Sequence, residues 1–87
     1  MGTYLIRVSM PDRPGALGLV ASRIGAVGGD IIAIDILQRV DGQAIDEFVV
    51  ELVDESLIDL LRHEIHEVDG ARVEGMRRIE TEAVSED

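Results

Sequence analysis

From Tyr4 to Met10 a large apolar side chain stands at every even position, and the residues between them are Leu5, Arg7 and Ser9. This period of two predicts a strand with one face against a core. The apolar positions then recur every three or four residues, as along one side of a helix. The residues of this stripe are Leu17, Val20, Ala21, Ile24 and Val27. The pair Gly28–Gly29 is predicted to end the helix, with one glycine in the left-handed conformation.

A hairpin of two strands is predicted over residues 31–53, with its turn at Asp41–Gln43. In the first strand, alternation places one set of side chains toward the core: Ile32, Ile34 and Ile36. If Ile36 and Phe48 both face the core and lie opposite each other, the pairing of the two strands leaves a loop of three residues. A loop of two residues would shift the pairing by one and place core residues opposite solvent-facing ones. We therefore predict the longer turn, with Gly42 at positive φ.

A second helix is predicted after Ser56, which together with Asp59 resembles a capping box with aspartate in place of glutamate. Its apolar stripe consists of Leu57, Ile58, Leu61, Ile65 and Val68. Asp69–Gly70 is predicted to close this helix. Residues 71–79 are predicted to form a last strand, with a bulge near Gly75.

The predicted elements follow the order β-α-β-β-α-β. Right-handed crossovers in the two βαβ halves give a four-stranded antiparallel sheet with both helices on one face, so the predicted fold class is an α+β, ferredoxin-like sandwich. The folded domain is predicted over residues 1–80, followed by an acidic, disordered tail over residues 81–87. The open sheet face would mix apolar residues with charges, so we expect a second subunit or another partner to cover part of it or to extend the sheet edge.

Composition narrows the possible functions. The chain has 87 residues, which suits one domain, and only 2% of them are aromatic, so the core must be aliphatic. The net charge of −10 repels phosphate backbones and anionic lipid surfaces, so neither nucleic acid nor membrane is an expected partner. Without cysteine, the chain can form no disulfide, redox motif or thiolate metal site. No signal-peptide or transmembrane pattern is found, and a cytoplasmic location is expected.

The segment between the first strand and the first helix is the candidate functional site. The unpaired N–H groups at the start of a helix form a site for a small anion such as a carboxylate. In a structural interpretation, Asp12 caps the helix, Pro14 fixes φ in its first turn and Gly15 relieves crowding. In a functional interpretation, Gly15 leaves room for a ligand to reach the N–H groups of Ala16 and Leu17. The two interpretations are compatible.

The segment from Val8 to Ser22, followed by Gly28-Gly29-Asp30-Ile31, resembles the signature of ACT domains, small regulatory modules that bind amino acids. The resemblance covers about residues 3–80. It implies a ligand at a dimer interface, with its carboxylate on the amides of the helix N-terminus. The implied first wall consists of Asp12, Arg13, Pro14, Gly15, Ala16 and Leu17. The implied second wall, from the partner chain, consists of Asp30, Ile31 and Ile32.

The chain departs from the family pattern at Asp30, where many members have asparagine. An ionised carboxylate only accepts hydrogen bonds, whereas an amide both donates and accepts. Asp30 could therefore bind the ammonium group of a ligand, but it would repel a nearby carboxylate.

Two other groups of polar residues have simpler explanations. His63 and His66 lie three residues apart on a charged helix, where we expect solvated side chains rather than a metal site. The charged residues expected on the open sheet face are Arg7, Asp35, Glu47 and Glu51. They are predicted to pair with one another rather than to catalyse a reaction, because no histidine or cysteine lies near them. We predict no catalytic residue, no metal and no cofactor.

The sequence therefore predicts a regulatory domain that forms a homodimer or higher oligomer and binds an amino acid or related metabolite at the subunit interface. A ligand that contacts both subunits would shift the pairing equilibrium, which is an allosteric effect. The alternative is a ligand-free oligomerisation module that is tethered to, or partners with, another protein. Because no nucleophile and base are paired, the chain is not expected to be an enzyme.

Overall fold

The computed structural model describes residues 1–80, and the segment 81–87, for which an acidic tail was predicted, lies outside the described residues. The elements in chain order are β1 (Gly2–Pro11), α1 (Ala16–Ala26), β2 (Asp30–Val40), β3 (Gln43–Leu52), α2 (Ile58–His66) and β4 (Arg72–Ile79). A short 3₁₀ helix, Glu55–Leu57, precedes α2. Within residues 1–80, neither helix has the length and apolar character needed to cross a membrane.

The four strands of residues 1–80 form one antiparallel sheet in the order β2-β3-β1-β4. The two helices pack against each other and against the sheet. This βαββαβ arrangement is the predicted ferredoxin-like fold, and the fold prediction is confirmed.

The core lies between the two helices and the even-numbered residues of β1 and β3. Its buried apolar residues on the strands are Tyr4, Ile6, Val8, Met10, Ala44, Phe48, Val50 and Leu52. From the helices and the turn after α2 it takes Ala16, Val20, Ile24, Leu61, Ile65, Val68 and Ala71. The alternation of β1 and the stripes of both helices are therefore confirmed, except for Ala21, because the other predicted side chains lie in one cluster or pack against it.

Three isoleucines of β2 were predicted to face the core, but none is buried there, although Ile34 and Ile36 do lie on the helix-facing side of the sheet, opposite Phe48 and Asp46 of β3. Ile32, Ile34 and Ile36 are 51%, 42% and 54% exposed. The reason is that β2 lies at the edge of the sheet, with no strand beyond it among residues 1–80. Two irregularities in its pairing with β3, after Ile31 and after Ile36, also change which residues face each other.

The hairpin turn between β2 and β3 is shorter than predicted. Val40 pairs with Gln43, so the turn contains only Asp41 and Gly42. Both have positive φ, 54° and 77°, as in a type I′ turn. The predicted positive φ of Gly42 is confirmed, but the predicted three-residue loop is wrong. The irregularity after Ile36 shifts the pairing by one residue, so core-facing residues of the two strands lie opposite each other without a longer loop.

The last strand contains the predicted bulge. Arg7 of β1 pairs with Gly75, whereas the next residue, Val8, pairs with Val73, so Glu74 is the extra residue on β4. The bulge lies beside Gly75, as the sequence predicted.

The second helix starts differently from the capping box predicted at Ser56. Asp54 is extended, and its side chain accepts a hydrogen bond from the N–H of Ser56 at 3.0 Å. The chain makes a 3₁₀ turn before it enters α2, which places the cap two residues earlier than predicted. This hydrogen bond lowers the pKa of the Asp54 carboxyl from its ordinary value of 3.8.

We expect Asp54→Ala to lower the melting temperature at pH 7, because the N–H of Ser56 loses its acceptor. Because the pKa of Asp54 is lower in the folded chain than its ordinary value of 3.8, the ionised carboxyl stabilises the fold at pH values above 3.8. This contribution is lost as the pH falls through the pKa of the folded chain. The difference between wild type and variant should therefore shrink below about pH 4 in thermal unfolding monitored by circular dichroism. Asp54→Ser, which keeps a capping oxygen, is the control and should lose less. An Asp54→Ala difference that stays constant down to pH 2 would contradict the role of the ionised cap.

Candidate ligand-binding site

A turn of defined type connects β1 to α1. The carbonyl oxygen of Arg13 accepts a hydrogen bond from the N–H of Ala16 at 3.2 Å, with Pro14 and Gly15 at the central positions. Gly15 has φ 88° and ψ −16°, so this is a type II turn. A side chain at Gly15 would meet no heavy atom within 4 Å. The expectation that this glycine relieves crowding is wrong, and its positive φ is what requires glycine.

The first turn of α1 presents N–H groups without acceptors. Gly15 precedes the helix, and its carbonyl oxygen accepts from Leu19 at 3.0 Å. The Ala16 N–H already donates within the turn, so this amide is not open to a ligand and the prediction for it is wrong. Among residues 1–80 no acceptor faces the N–H groups of Leu17 and Gly18. These two amides are the ones that an anion could reach.

Asp12 does not cap α1, contrary to the prediction. Its two oxygens share the single N–H of Arg39 Nε, at 3.2 and 3.3 Å, and Oδ1 also accepts from Arg39 Nη2 at 3.1 Å. The N–H of Asp12 donates to the carbonyl oxygen of Gly42 at 2.8 Å. Because the type II turn separates Asp12 from the helix, its side chain contacts β2 instead. The β1–α1 loop is thereby fixed to the β2–β3 hairpin.

A pocket of about 160 Å³ lies between this loop, the start of α1 and the ends of β2 and β3. Its lining residues are Met10, Pro11, Asp12, Arg13, Ala16, Leu17, Ile36, Arg39, Ala44 and Asp46. Four residues of the predicted first wall are thus brought together, and the other two, Pro14 and Gly15, form the adjoining turn.

The predicted second wall lies at the opposite end of β2. Asp30 pairs with Glu51 and Ile31 with Val50, far along the strand from the pocket residues Ile36 and Arg39. Ile31 packs against the core, whereas Asp30 and Ile32 are exposed. Within one chain, these residues and the β1–α1 loop do not form one site.

Asp46 is the site residue that sequence reasoning missed. It lies on the helix-facing side of β3, paired with Val8 of β1 and Ile36 of β2, and it is only 2% exposed. Burial, followed by the negative charge of Asp12, raises the pKa of the Asp46 carboxyl, and the positive charge of Arg39 opposes this shift. The sequence did contain a signal, because Asp46 is the one charged residue at a core-facing position of β3.

A larger cavity of about 600 Å³ lies on the open face of the sheet. Arg7 Nη2 and Glu47 Oε2 form the predicted kind of ion pair at its surface, 2.7 Å apart. In the described part of the chain, Asp46 Oδ1 is the only buried side-chain oxygen or nitrogen without a hydrogen-bond partner. Asp46 lines the smaller pocket and does not line this cavity. The smaller pocket is therefore the better candidate site.

The two histidines of α2 have separate environments. His66 Nε2 accepts a hydrogen bond from the N–H of Val73 at 3.2 Å and so connects α2 to β4. His63 Nε2 lies 3.5 Å from Glu67 Oε2. In the region that the structure describes, no three histidine, aspartate or glutamate side chains are grouped so that they could hold a metal ion.

The fold and the pocket together define a ferredoxin-like α+β domain with a small cavity at the start of its first helix. The family model of the ACT domain matches residues 4–70, so the chain belongs to the ACT domain family. ACT domains are regulatory domains that bind small molecules. The resemblance found in the sequence is confirmed.

Solved structures have the same fold. An uncharacterized protein from Thermotoga maritima has a TM-score of 0.67 and 20% identity, with 91% of this chain and 98% of that chain covered. The ACT domain of GTP pyrophosphokinase from Chlorobium tepidum has a TM-score of 0.67 and 18% identity, covering 90% and 97%. An ACT domain protein from Streptococcus pneumoniae has a TM-score of 0.69 and 19% identity, covering 88% and 89%. A search of curated proteins finds no significant match.

Proposed function

We propose that this ACT domain pairs with a second copy of itself along β2 and binds an amino acid or a related small metabolite where the two copies meet. The observation that supports this most directly is the exposed edge of the sheet. The large exposed apolar side chains of β2 are Ile32, Ile34, Ile36, Leu37 and Val40. An edge strand of 11 residues with such side chains is a template for another strand.

Pairing of this kind would also complete the site. Because β2 runs from Asp30 to Val40, antiparallel pairing about its midpoint would place residues 30–32 of one copy opposite residues 38–40 of the other. Arg39 lines the pocket, so the second wall implied by the family resemblance would come from the second copy. The carboxylate of the ligand would accept hydrogen bonds from the N–H groups of Leu17 and Gly18, where the helix dipole favours a negative charge.

The proposed role is regulatory rather than catalytic. The pocket lining contains no serine, threonine, cysteine, lysine or histidine to act as nucleophile or base. A ligand that contacts both copies would bind the pair more tightly than the separate chains, and it would shift the equilibrium by that difference in affinity.

The test is a thermal-unfolding scan against the twenty amino acids, combined with light scattering for mass. We expect a mass of twice 9.5 kDa and a rise of several degrees for a small subset of the amino acids. A dimer that no amino acid stabilises would favour the alternative, an oligomerisation module without a ligand, which the same exposed strand also supports. A chain that stays monomeric at every concentration, with and without amino acids, would contradict the pairing.

A further inference from the structure

Within residues 1–80, one buried side-chain oxygen has no hydrogen-bond partner, and it belongs to Asp46, which lines the candidate pocket. Asp46 is 2% exposed, and its Oδ1 has no hydrogen-bond partner in residues 1–80. A buried carboxylate without a donor is costly, because it has given up the hydrogen bonds of water and receives nothing in exchange. Such groups are rare in folded proteins, and each one calls for an explanation.

The nearest cation does not provide the missing donor. Arg39 lies opposite Ala44, two residues along β3 from Asp46, so its charge reaches this carboxylate. However, its guanidinium donates from Nε and from Nη2 to Asp12 instead. Asp12 thus holds Arg39 at the rim of the pocket and leaves Asp46 free on the inside.

We propose that Asp46 binds the ammonium group of the ligand, and that the ligand is a small zwitterion whose carboxylate is bound by the N–H groups of Leu17 and Gly18. This inference rests on the proposed function and specifies the chemistry of the same site. The pocket is lined by Asp46 of β3, a buried acceptor for a cation, and by Leu17 of α1. The N–H groups of Leu17 and of the next residue, Gly18, have no acceptor within residues 1–80 and can donate to an anion. An ammonium group offers the donors that Oδ1 lacks, and a charge-assisted hydrogen bond is stronger than a neutral one.

The size and charge of the pocket limit the ligand further. The cavity of about 160 Å³ is small and opens to solvent. Glycine, alanine and serine, the smallest common amino acids, are therefore the first probes. The charged lining residues are Asp12, Arg13, Arg39 and Asp46, two of each sign. A ligand with a carboxylate but no cation would meet the charge of Asp46 without compensation, so simple carboxylic acids should be rejected.

The test compares wild type, Asp46→Asn and Glu47→Gln by isothermal titration with glycine, L-alanine and L-serine, and with acetate and propionate as ammonium-free probes. Asp46→Asn keeps the size of the side chain but removes its charge. Glu47→Gln makes the same change of charge at the next residue, which faces the other side of the sheet. We expect Asp46→Asn to weaken amino-acid binding about tenfold or more, and Glu47→Gln to bind like wild type. Acetate and propionate should bind wild type poorly. They should bind the Asp46→Asn protein at least as well as they bind wild type.

The outcomes separate this inference from the proposed function. If Asp46→Asn binds the amino acids as tightly as wild type, the role of Asp46 is overturned while the proposed function stands. If wild type binds neither glycine nor L-alanine nor L-serine, this inference is overturned, and the thermal scan against all twenty amino acids decides separately on the proposed function. If acetate binds wild type as well as glycine does, the ligand is an anion and the inference is wrong.

A measurement on the wild-type chain covers the case in which Asp46→Asn fails to fold. Asp46 must be ionised to bind an ammonium group, so the affinity for glycine should be full above the pKa of this carboxyl and fall as the pH drops through it. The charged groups that face Asp46 are Asp12, Arg13 and Arg39. Carbon-detected NMR should show that saturation with glycine lowers the pKa of Asp46. An unchanged Asp46 titration in saturating glycine would overturn the inference.

Discussion

Replacing Gly70 with alanine is expected to lower the free energy of unfolding by about 2–5 kcal/mol. Two costs add at this position. Gly70 has φ 83°, which costs an L-residue about 1–2 kcal/mol. The new Cβ would also lie 2.6 Å from Pro11 Cγ, and relief of that overlap needs a shift of either β1 or the turn before β4, which costs about 1–3 kcal/mol more. Urea unfolding monitored by circular dichroism would measure the loss.

Gly75→Ala is the matched control for this change. Gly75 lies in β4, its φ is not positive, and a Cβ there would meet nothing within 4 Å. This variant should stay within about 0.5 kcal/mol of wild type. A Gly70→Ala protein as stable as the Gly75→Ala protein would contradict the described turn. Because Pro11 also lines the pocket, the same shift should weaken the amino-acid binding that we propose.

Ile34→Lys is expected to raise the dissociation constant of the paired chain about a hundredfold or more, because it places a charge at the centre of the proposed interface. Ile34 is 42% exposed in the single chain, so lysine there should leave the fold intact. Pairing about the midpoint of β2 would bring the two lysines close together, and their repulsion would add to the loss of apolar contact. Sedimentation equilibrium over a range of concentrations would measure the constant.

Leu60→Lys makes the same change of side chain on α2, where Leu60 is 46% exposed and far in sequence from the edge strand. It should pair like wild type. If Leu60→Lys disrupts pairing and Ile34→Lys does not, the interface is formed by the helices and the proposed edge pairing is wrong. Ile34 does not line the pocket, so any loss of ligand binding in Ile34→Lys would follow from lost pairing.

The elements with a regular period were the ones that the sequence predicted well. The even positions of β1 and the stripes of both helices reached the core as predicted, because each segment keeps one period over its whole length. β2 has an equally clear alternation, but its exposure depends on its place in the sheet. The alternation of one strand does not show where that strand lies in the sheet. It does not show a bulge either, because a bulge changes which way residues face without changing the residue types.

The candidate site was predicted only in part for a similar reason. The Pro14–Gly15 pair indicated a turn beside a helix N-terminus, and that turn is present. The role of Asp12 was missed because its partner, Arg39, follows it by 27 residues, and only the closed fold brings the two together. Asp46 could have been recognised, since a charged residue in the core-facing series of a strand is unusual.

Arg39 belongs both to the wall of the pocket and to the strand along which we propose that two copies pair. Occupancy of the pocket and association of the chains would then be linked equilibria, each favouring the other. A titration at nanomolar protein would give weaker apparent binding than one at high micromolar protein, and the cell could set the metabolite level at which this domain responds by setting how much of the protein it makes.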